Sequence, residues 1–192
     1  MPAAKQGSQE DKHGYRKHRL YRRKIQRSMT EAYQTVTHTF DPVWDTQSEI
    51  LILGTFPSVK SRENNFYYGH PQNRFWKLLA LIYEEAVPDT VDQKKQLVLK
   101  HRLAVWDVIG QCDIIGSSDS SIRNVIPCDV AGLLSRSNIH TVIANGTKAY
   151  ELYRKHQLPV TGLEAVKLPS TSPANAAWSL ERLKDAWSAV LL

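Results

Sequence analysis

The sequence predicts an α/β fold in three layers, α/β/α, with a short, mostly parallel central sheet. Two observations predict it. Four short apolar runs bounded by turn or polar residues read as buried strands. Stretches of helical periodicity lie between them. Such alternation needs right-handed crossovers, which place helices on both faces of a parallel sheet. The length, 192 residues, fits one domain with a sizeable apolar core.

The expected strands are Ile50–Leu53, Leu103–Trp106, Thr141–Ala144 and Ala165–Leu168. Phe75, Leu78, Leu79 and Ile82 fall at i, i+3, i+4 and i+7, one face of a helix. Val91–Arg102 is a second, more polar helix, and Asp129–Ser135 a short third. Lys148–His156 follows with Ala149, Leu152 and Tyr153 inward. Ala177–Leu191 is the last, with Leu180, Leu183, Trp187 and Val190 or Leu191 inward.

The net charge of +6 is unevenly placed. Residues 1–28 hold nine Lys/Arg against two Asp/Glu, whereas residues 29–192 hold sixteen against seventeen. We therefore expect a basic, disordered extension over 1–28 and a single globular domain over 29–192. Met29 opens the globular pattern and is a candidate translation start. No apolar run approaches the ~20 residues of a membrane span, and no signal-peptide core is visible. That suggests a cytoplasmic protein, or a nuclear one in a eukaryote, rather than a secreted one. The two cysteines, Cys112 and Cys128, are too few for a four-thiolate metal or cluster site and read as structural thiols. No metal or other cofactor is expected.

In an open parallel sheet the ligand site lies beyond the carboxyl ends of the strands. The residues there are Gly54-Thr55-Phe56-Pro57-Ser58, Asp107, Asn145-Gly146 and Pro169-Ser170-Thr171-Ser172-Pro173. They contain no phosphate loop, no dinucleotide fingerprint and no Ser-His-Asp order, which argues against those chemistries.

Three segments carry a resemblance. Leu53-Gly54-Thr55-Phe56-Pro57-Ser58 resembles the Gly-x-(Asp/Asn)-Pro motif of uracil-DNA glycosylases. Tyr67-Tyr68-Gly69-His70-Pro71-Gln72-Asn73-Arg74-Phe75-Trp76 resembles the His-Pro-x-Asn-Arg-Phe-Trp segment of the mismatch-specific enzymes. Leu168-Pro169-Ser170-Thr171-Ser172-Pro173-Ala174-Asn175 is similar to the last DNA-contacting loop. Trp106-Asp107-Val108-Ile109 and Asn145-Gly146-Thr147-Lys148-Ala149-Tyr150 stand between them in order. The set runs from about Ile50 to Trp187 and resembles the uracil-DNA glycosylase superfamily, in particular its hypoxanthine-DNA glycosylase branch.

The resemblance implies a monofunctional glycosylase acting in base excision repair, as a monomer, on DNA that holds a deaminated base. Hypoxanthine is the leading substrate; uracil or G·T/U mismatches, or a non-catalytic nucleic-acid-binding module, are the alternatives. Two departures matter. The slot for the water-positioning Asp is Phe56, and the slot for the anion-stabilising His is Ser170, or Leu168 under a shifted alignment. The hypoxanthine branch implies asparagines instead, which map onto Asn73 and Asn145. An amide can orient water and can donate to a leaving base, but it is no general base.

Each candidate also has a plainer reading. Asn73 stands before a helix and suits a cap; Asn145 next to Gly146 suits a turn. Tyr68 reads as core or as a stacking partner of a flipped base. Asp107 follows a buried strand and could accept the N1–H of hypoxanthine or the N3–H of uracil. Asp119 reads as a helix cap first. Thr55 and Phe56 join Tyr68 and Asp107 as base-binding candidates. Ser58, Ser170, Thr171, Ser172 and Asn175 are the DNA-binding candidates. Ser172 as N-cap with Pro173 at N1 would start a helix whose free N–H groups suit a phosphate. Ala174 occupies the wedge slot, and alanine is a poor wedge.

Because every motif lies beyond Met29, a chain beginning there should fold and keep its turnover at low salt. An insoluble or inactive product would overturn the boundary; weaker DNA affinity alone would make the extension an electrostatic arm.

Overall fold

The computed structural model describes residues 32–192, so the basic extension at 1–28 lies outside the described residues. In chain order the elements are β1 (Gln34–Thr37), β2 (Ile50–Gly54), α1 (Val59–Glu63), α2 (Phe75–Ile82) and α3 (Val91–Lys100). Then come β3 (Leu103–Asp107), β4 (Ile109–Ile114), a 3₁₀ turn at Asp119–Ser121, β5 (Arg123–Pro127), α4 (Val130–Leu134) and β6 (Thr141–Asn145). The chain closes with α5 (Thr147–His156), α6 (Leu158–Thr161), β7 (Ala165–Leu168) and α7 (Leu180–Leu191).

The central sheet is parallel, in the order β3-β2-β6-β7. Its strands alternate between two buried faces, as a sheet covered on both sides must. Ile52, Leu103, Val105 and Ile143 join the core beneath α2, α3 and α7. Leu51, Leu53, Ala104 and Val142 join the opposite core with α4 and α5. The strand ends are nearly level: Gly54 pairs with Asp107, and Asn145 with Leu168. That register brings the residues after each strand to one edge.

A second sheet was not expected from the sequence. It is antiparallel, in the order β1-β4-β5, and continues from β3 through Val108. Val108 N–H donates to the Gly54 carbonyl and Cys128 N–H to the Val108 carbonyl, so this sheet docks on the carboxyl edge of the central one. Its strands escaped the apolar-run criterion because β1 and β5 are mostly exposed and β4 alternates.

The helices fall where periodicity put them, with shifted ends. α3 starts with a capping box, Thr90 with Gln93, and stops at Lys100 rather than Arg102, which adopts a left-handed backbone. The last helix begins at Leu180, not Ala177, because the Ser179 hydroxyl accepts from Arg182 N–H at 3.3 Å. No helix starts at Ser172; residues 172–177 form consecutive turns. Cys112 and Cys128 are free thiols. Burial raises both above the ordinary thiol value, Cys112 to about 11, which keeps them protonated. Among the described residues no helix is long and apolar enough to cross a membrane.

Candidate active site

A cavity of about 300 Å³ opens at the carboxyl edge of the central sheet. That is the low end of the range for small-ligand pockets, roughly 300–1,000 Å³. Thr55, Phe56, Ser58, Tyr68, Asn73, Asp107, Asn145, Ser170, Thr171 and Ser172 all line it. Of the residues singled out for base, DNA or catalysis, Asn175 alone stands outside the lining. Its Nδ2 donates to the Ser170 carbonyl at 2.9 Å and so pins the last loop from behind. The pocket also takes in His70 and Asp119.

Asn73, Thr171 and Asn145 form one hydrogen-bonded chain. Asn145 Nδ2 donates to Thr171 Oγ1 at 3.0 Å, and Thr171 N–H returns a bond to Asn145 Oδ1 at 3.0 Å. Thr171 Oγ1 in turn donates to Asn73 Oδ1 at 3.0 Å, and Phe75 N–H donates to the same oxygen at 3.0 Å. The backbone donor fixes which atom of the Asn73 amide is oxygen. Both its acceptor positions are thereby occupied, and the Nδ2 protons remain for the pocket. Asn73 is not the cap of α2: the capping residue is Arg74, without a side-chain cap bond, and the Asn73 oxygen holds Phe75 N–H from one residue earlier, which leaves its nitrogen available. Thr171, expected to face DNA, is fully buried. Its side chain orients the two asparagines instead.

The loop after β7 is held by Arg74. Its guanidinium donates to the carbonyls of Thr171, Ser172, Asn175 and Trp178, and its backbone N–H donates to the Thr171 carbonyl at 3.1 Å. A planar fork with five donors can serve several carbonyls at once, which a lysine cannot. Trp187 Nε1–H adds a bond to the Pro169 carbonyl at 3.0 Å. Across the turn at β6, Gly146 has φ 103°, and a Cβ there would lie 2.9 Å from Ser170 Cβ. Glycine alone lets these two loops approach so closely. Ser170 and Ser172 keep to the rim, and Ser170 Oγ accepts from Ser172 N–H at 3.2 Å. Ser58 caps α1 by accepting from Ser61 N–H.

Asp107 has a partner that sequence reasoning missed. His38 Nε2 lies 3.0 Å from Asp107 Oδ2, and the two side chains are only 5% and 7% exposed. The imidazole sits among the rings of Phe40, Phe56 and Tyr67. Phe56, which stands in the slot of the family's water-positioning Asp, therefore walls this pair. A Cβ on Gly54 would come within 2.2 Å of Asp107 Oδ1. Gly54 is what leaves the carboxylate room. The Tyr68 hydroxyl lies at the same place, 3.4 Å from that Cβ position, buried beside the Asn145 amide but with no partner in full hydrogen-bond geometry among the described residues. Burial, with the Asp107 charge adding, raises the phenol far above its ordinary value against a lowering pull from the Asn145 side chain. One face of the Tyr68 ring stacks on Phe75, centroids 3.8 Å apart.

Asp119 is brought to the pocket by the 3₁₀ turn, its Oδ2 3.5 Å from Thr55 Oγ1. Solvent reaches the residue, but neighbouring groups crowd its carboxyl and raise it above the usual carboxylate value. Its plainer reading as a cap fails, since no side-chain cap bond forms at that turn. The lysine on the pocket wall, Lys60, pairs through Nζ with Glu63 at 2.6 Å.

The fold and this pocket are those of a base-excising enzyme scaffold, and the comparisons agree. The model of the uracil DNA glycosylase superfamily matches residues 42–191, and the chain belongs to that family. It is 38% identical over 153 residues, 79% of this chain and 95% of the relative, to a hypoxanthine DNA glycosylase of Methanosarcina acetivorans. A hypoxanthine DNA glycosylase of Methanosarcina barkeri is 34% identical over 151 residues, 78% of this chain and 94% of the relative. A solution NMR structure from Methanosarcina acetivorans, of a protein provisionally assigned as a uracil DNA glycosylase, superposes with a TM-score of 0.68. It is 35% identical, covering 79% of this chain and 94% of that one.

Two substitutions test this geometry. Thr171→Val keeps the shape but leaves the Asn145 donor unpaired, at a cost of about 1–3 kcal/mol. The melt should fall by roughly 2–12 °C, and activity should fall with it. Thr171→Ser should retain both bonds and most of the rate. Tyr68→Phe removes a hydroxyl with no partner, so its melting temperature should be no lower than that of the native protein. A clear drop would reveal a bond to that hydroxyl.

Proposed function

We propose that this DNA glycosylase is monofunctional and excises hypoxanthine, a deaminated base, by hydrolysis of the N-glycosidic bond in base excision repair. One observation carries the reading: a paired carboxylate and two asparagines converge on a cavity with room for a base. Asp107 Oδ1 receives no hydrogen bond from the described residues and can accept the N1–H that deamination of adenine creates. Relatives at 34–38% identity that are hypoxanthine DNA glycosylases support the choice of base.

The base reaches the cavity by leaving the helical stack, which costs a few kcal/mol and least at a mispair. Thr55 and Phe56 from the loop after β2 wall it together with Tyr68. As the glycosidic bond breaks, the base carries away electron density and the sugar becomes oxocarbenium-like. Asn145 keeps one Nδ2–H beyond its bond to Thr171 and offers it as a hydrogen bond to the departing base. The C1′–N electron pair leaves with the base, the water oxygen bonds C1′, and the proton the water sheds neutralises the base anion by way of solvent. Asn73 holds the attacking water through an Nδ2–H, using one lone pair of the water and leaving the other to attack. Donors fixed in advance at such a site are worth far more than in water. Ser58, Ser170 and Ser172 at the rim offer small donors to phosphates. The reading needs no metal or other cofactor, and no lysine attack, since Lys60 is engaged with Glu63. We take the enzyme to act as a monomer.

Duplexes holding deoxyinosine, deoxyuridine or a G·T mismatch separate the substrates. Deoxyinosine should be cleaved fastest, in the presence of chelator, and strands should break only after alkali. Faster cleavage of deoxyuridine would transfer the assignment to uracil; no cleavage of any duplex would leave a binding module. Asn73→Asp then tests the donor role. Aspartate retains both acceptor bonds, to Phe75 N–H and Thr171, so the protein should melt as the native one does. It has no N–H, so the single-turnover rate should fall by about 10²–10³-fold. A retained rate would show that residue 73 works through its oxygen.

A further inference from the structure

We propose that His38 is a positioning residue for base recognition: by donating Nε2–H to Asp107 Oδ2, it holds the carboxylate as a fixed acceptor with Oδ1 facing the cavity. The inference rests on the reading of Asp107 as acceptor of the base N–H.

Three observations carry it. The first is economy of bonds. Asp107 sits at the carboxyl end of β3, 5% exposed, and a buried carboxylate needs a donor. His38 is the side chain that supplies one, at 3.0 Å, and it supplies it to Oδ2 only. Oδ1 is left towards Gly54 and the pocket. The second is rigidity. The imidazole cannot swing, because Phe40 lies 4.4 Å away, Tyr67 5.9 Å and Phe56 6.3 Å, centroid to centroid. His38 N–H is anchored as well, to the Gly110 carbonyl at 2.7 Å. The third is the position of Gly54. The residue opposite Asp107 in the sheet is the one that has no Cβ to push Oδ1 aside. Donor, cage and gap are built around one carboxylate orientation.

That orientation has a chemical consequence. A lactam edge presents N–H, and it pairs with a carboxylate oxygen but not with a protonated carboxyl turned the wrong way. Without His38, Oδ2 would be buried and unpaired. The carboxyl would then be free to rotate towards another donor, and Oδ1 would cease to be a fixed acceptor.

The test uses the full chain with substitutions at His38 and at Asp107. His38→Phe fits an aromatic cage and removes the donor; His38→Gln places an amide N–H near the position of Nε2. Single-turnover cleavage of a deoxyinosine duplex is measured over a range of enzyme concentrations, beside affinity for an undamaged duplex and a thermal melt. His38→Phe should lower the rate by about 10–100-fold, the range seen when a partner orienting a working group is removed. It should also raise the half-saturating concentration while leaving undamaged-DNA affinity unchanged, and His38→Gln should recover most of both. If His38→Phe does not fold, His38→Asn, whose shorter amide does not reach Oδ2, takes its place. A native rate in His38→Phe, or in His38→Asn where it stands in, overturns the proposal; so does a loss in His38→Gln as deep as in that variant. Asp107→Asn separates this failure from that of the underlying reading. Should Asp107→Asn cleave deoxyinosine normally, Asp107 is not the reader and both assignments fall. If Asp107→Asn is impaired while the His38 variants are not, only His38 loses its role.

Discussion

Thr171 makes no contact with solvent, and its hydroxyl joins three segments that are distant in the chain. It receives a proton from Asn145 at the end of β6 and gives one to Asn73 at the head of α2. A neutral hydrogen bond is worth only about 1 kcal/mol net, but a buried donor left unpaired costs more than the bond was worth. The chain is therefore close to all-or-none. Next to it, Arg74 takes the carbonyls of the loop that carries Thr171. Bonds to a charged donor are the stronger kind. Residues 73 and 74 thus fix the last loop from two sides, and the bonds that close the fold are the same bonds that aim the site.

The slot of the missing family Asp makes sense against this frame. Phe56 takes no part in proton chemistry, yet a carboxylate still reaches the pocket from the neighbouring strand. Because β2 and β3 end level, Asp107 stands across from Gly54, two residues before Phe56. A carboxylate at that place requires room and a donor. Gly54 gives the room, His38 the donor, and Phe56 part of the cage around the donor. Phe56 thus stands in one arrangement with Gly54, Asp107 and His38. Removing the carboxylate from the motif has not removed it from the site.

The central sheet was legible because each strand is buried on both faces and so must be a continuous apolar run. The candidate pocket was legible for a related reason: the ends of parallel strands define one edge, and the residues following them are few. β1, β4 and β5 are half exposed, and a strand such as Gln-Thr-Val-Thr has no apolar run to find. His38 was hidden for the same reason and lies 69 positions from Asp107. A period-two signal does exist there. Val36, His38 and Phe40 are partly buried, whereas Thr35, Thr37 and Thr39 are exposed. Reading the alternation as a strand would have turned His38 inward. Thr171 illustrates a harder limit. A Ser-Thr-Ser loop reads as a row of exposed hydroxyls, and only packing distinguishes the middle one as buried. Ser179, not Ser172, caps α7 because the six residues between them run through turns with no periodicity of their own.

The electrostatics of the pocket divide the labour of holding DNA from that of opening the bond. Two carboxylates, Asp107 and Asp119, line a cavity in a domain whose net charge over residues 29–192 is close to zero. Such a pocket repels phosphate, and a DNA backbone is better held outside it. Residues 1–28 carry nine of the 25 basic side chains. Inside, the same negative field favours a sugar that becomes cationic as its bond to the base lengthens. Burial is the main cause that raises the Asp119 carboxyl, and the nearby Asp107 charge raises it further. A larger share of Asp119 is therefore neutral at a given pH than of an ordinary aspartate. That eases the repulsion between the two groups. Thr55 and Lys148 pull Asp119 the other way, towards the charged form. The charge on Asp119 thus answers to Asp107, Thr55 and Lys148, residues drawn from three other segments of the chain.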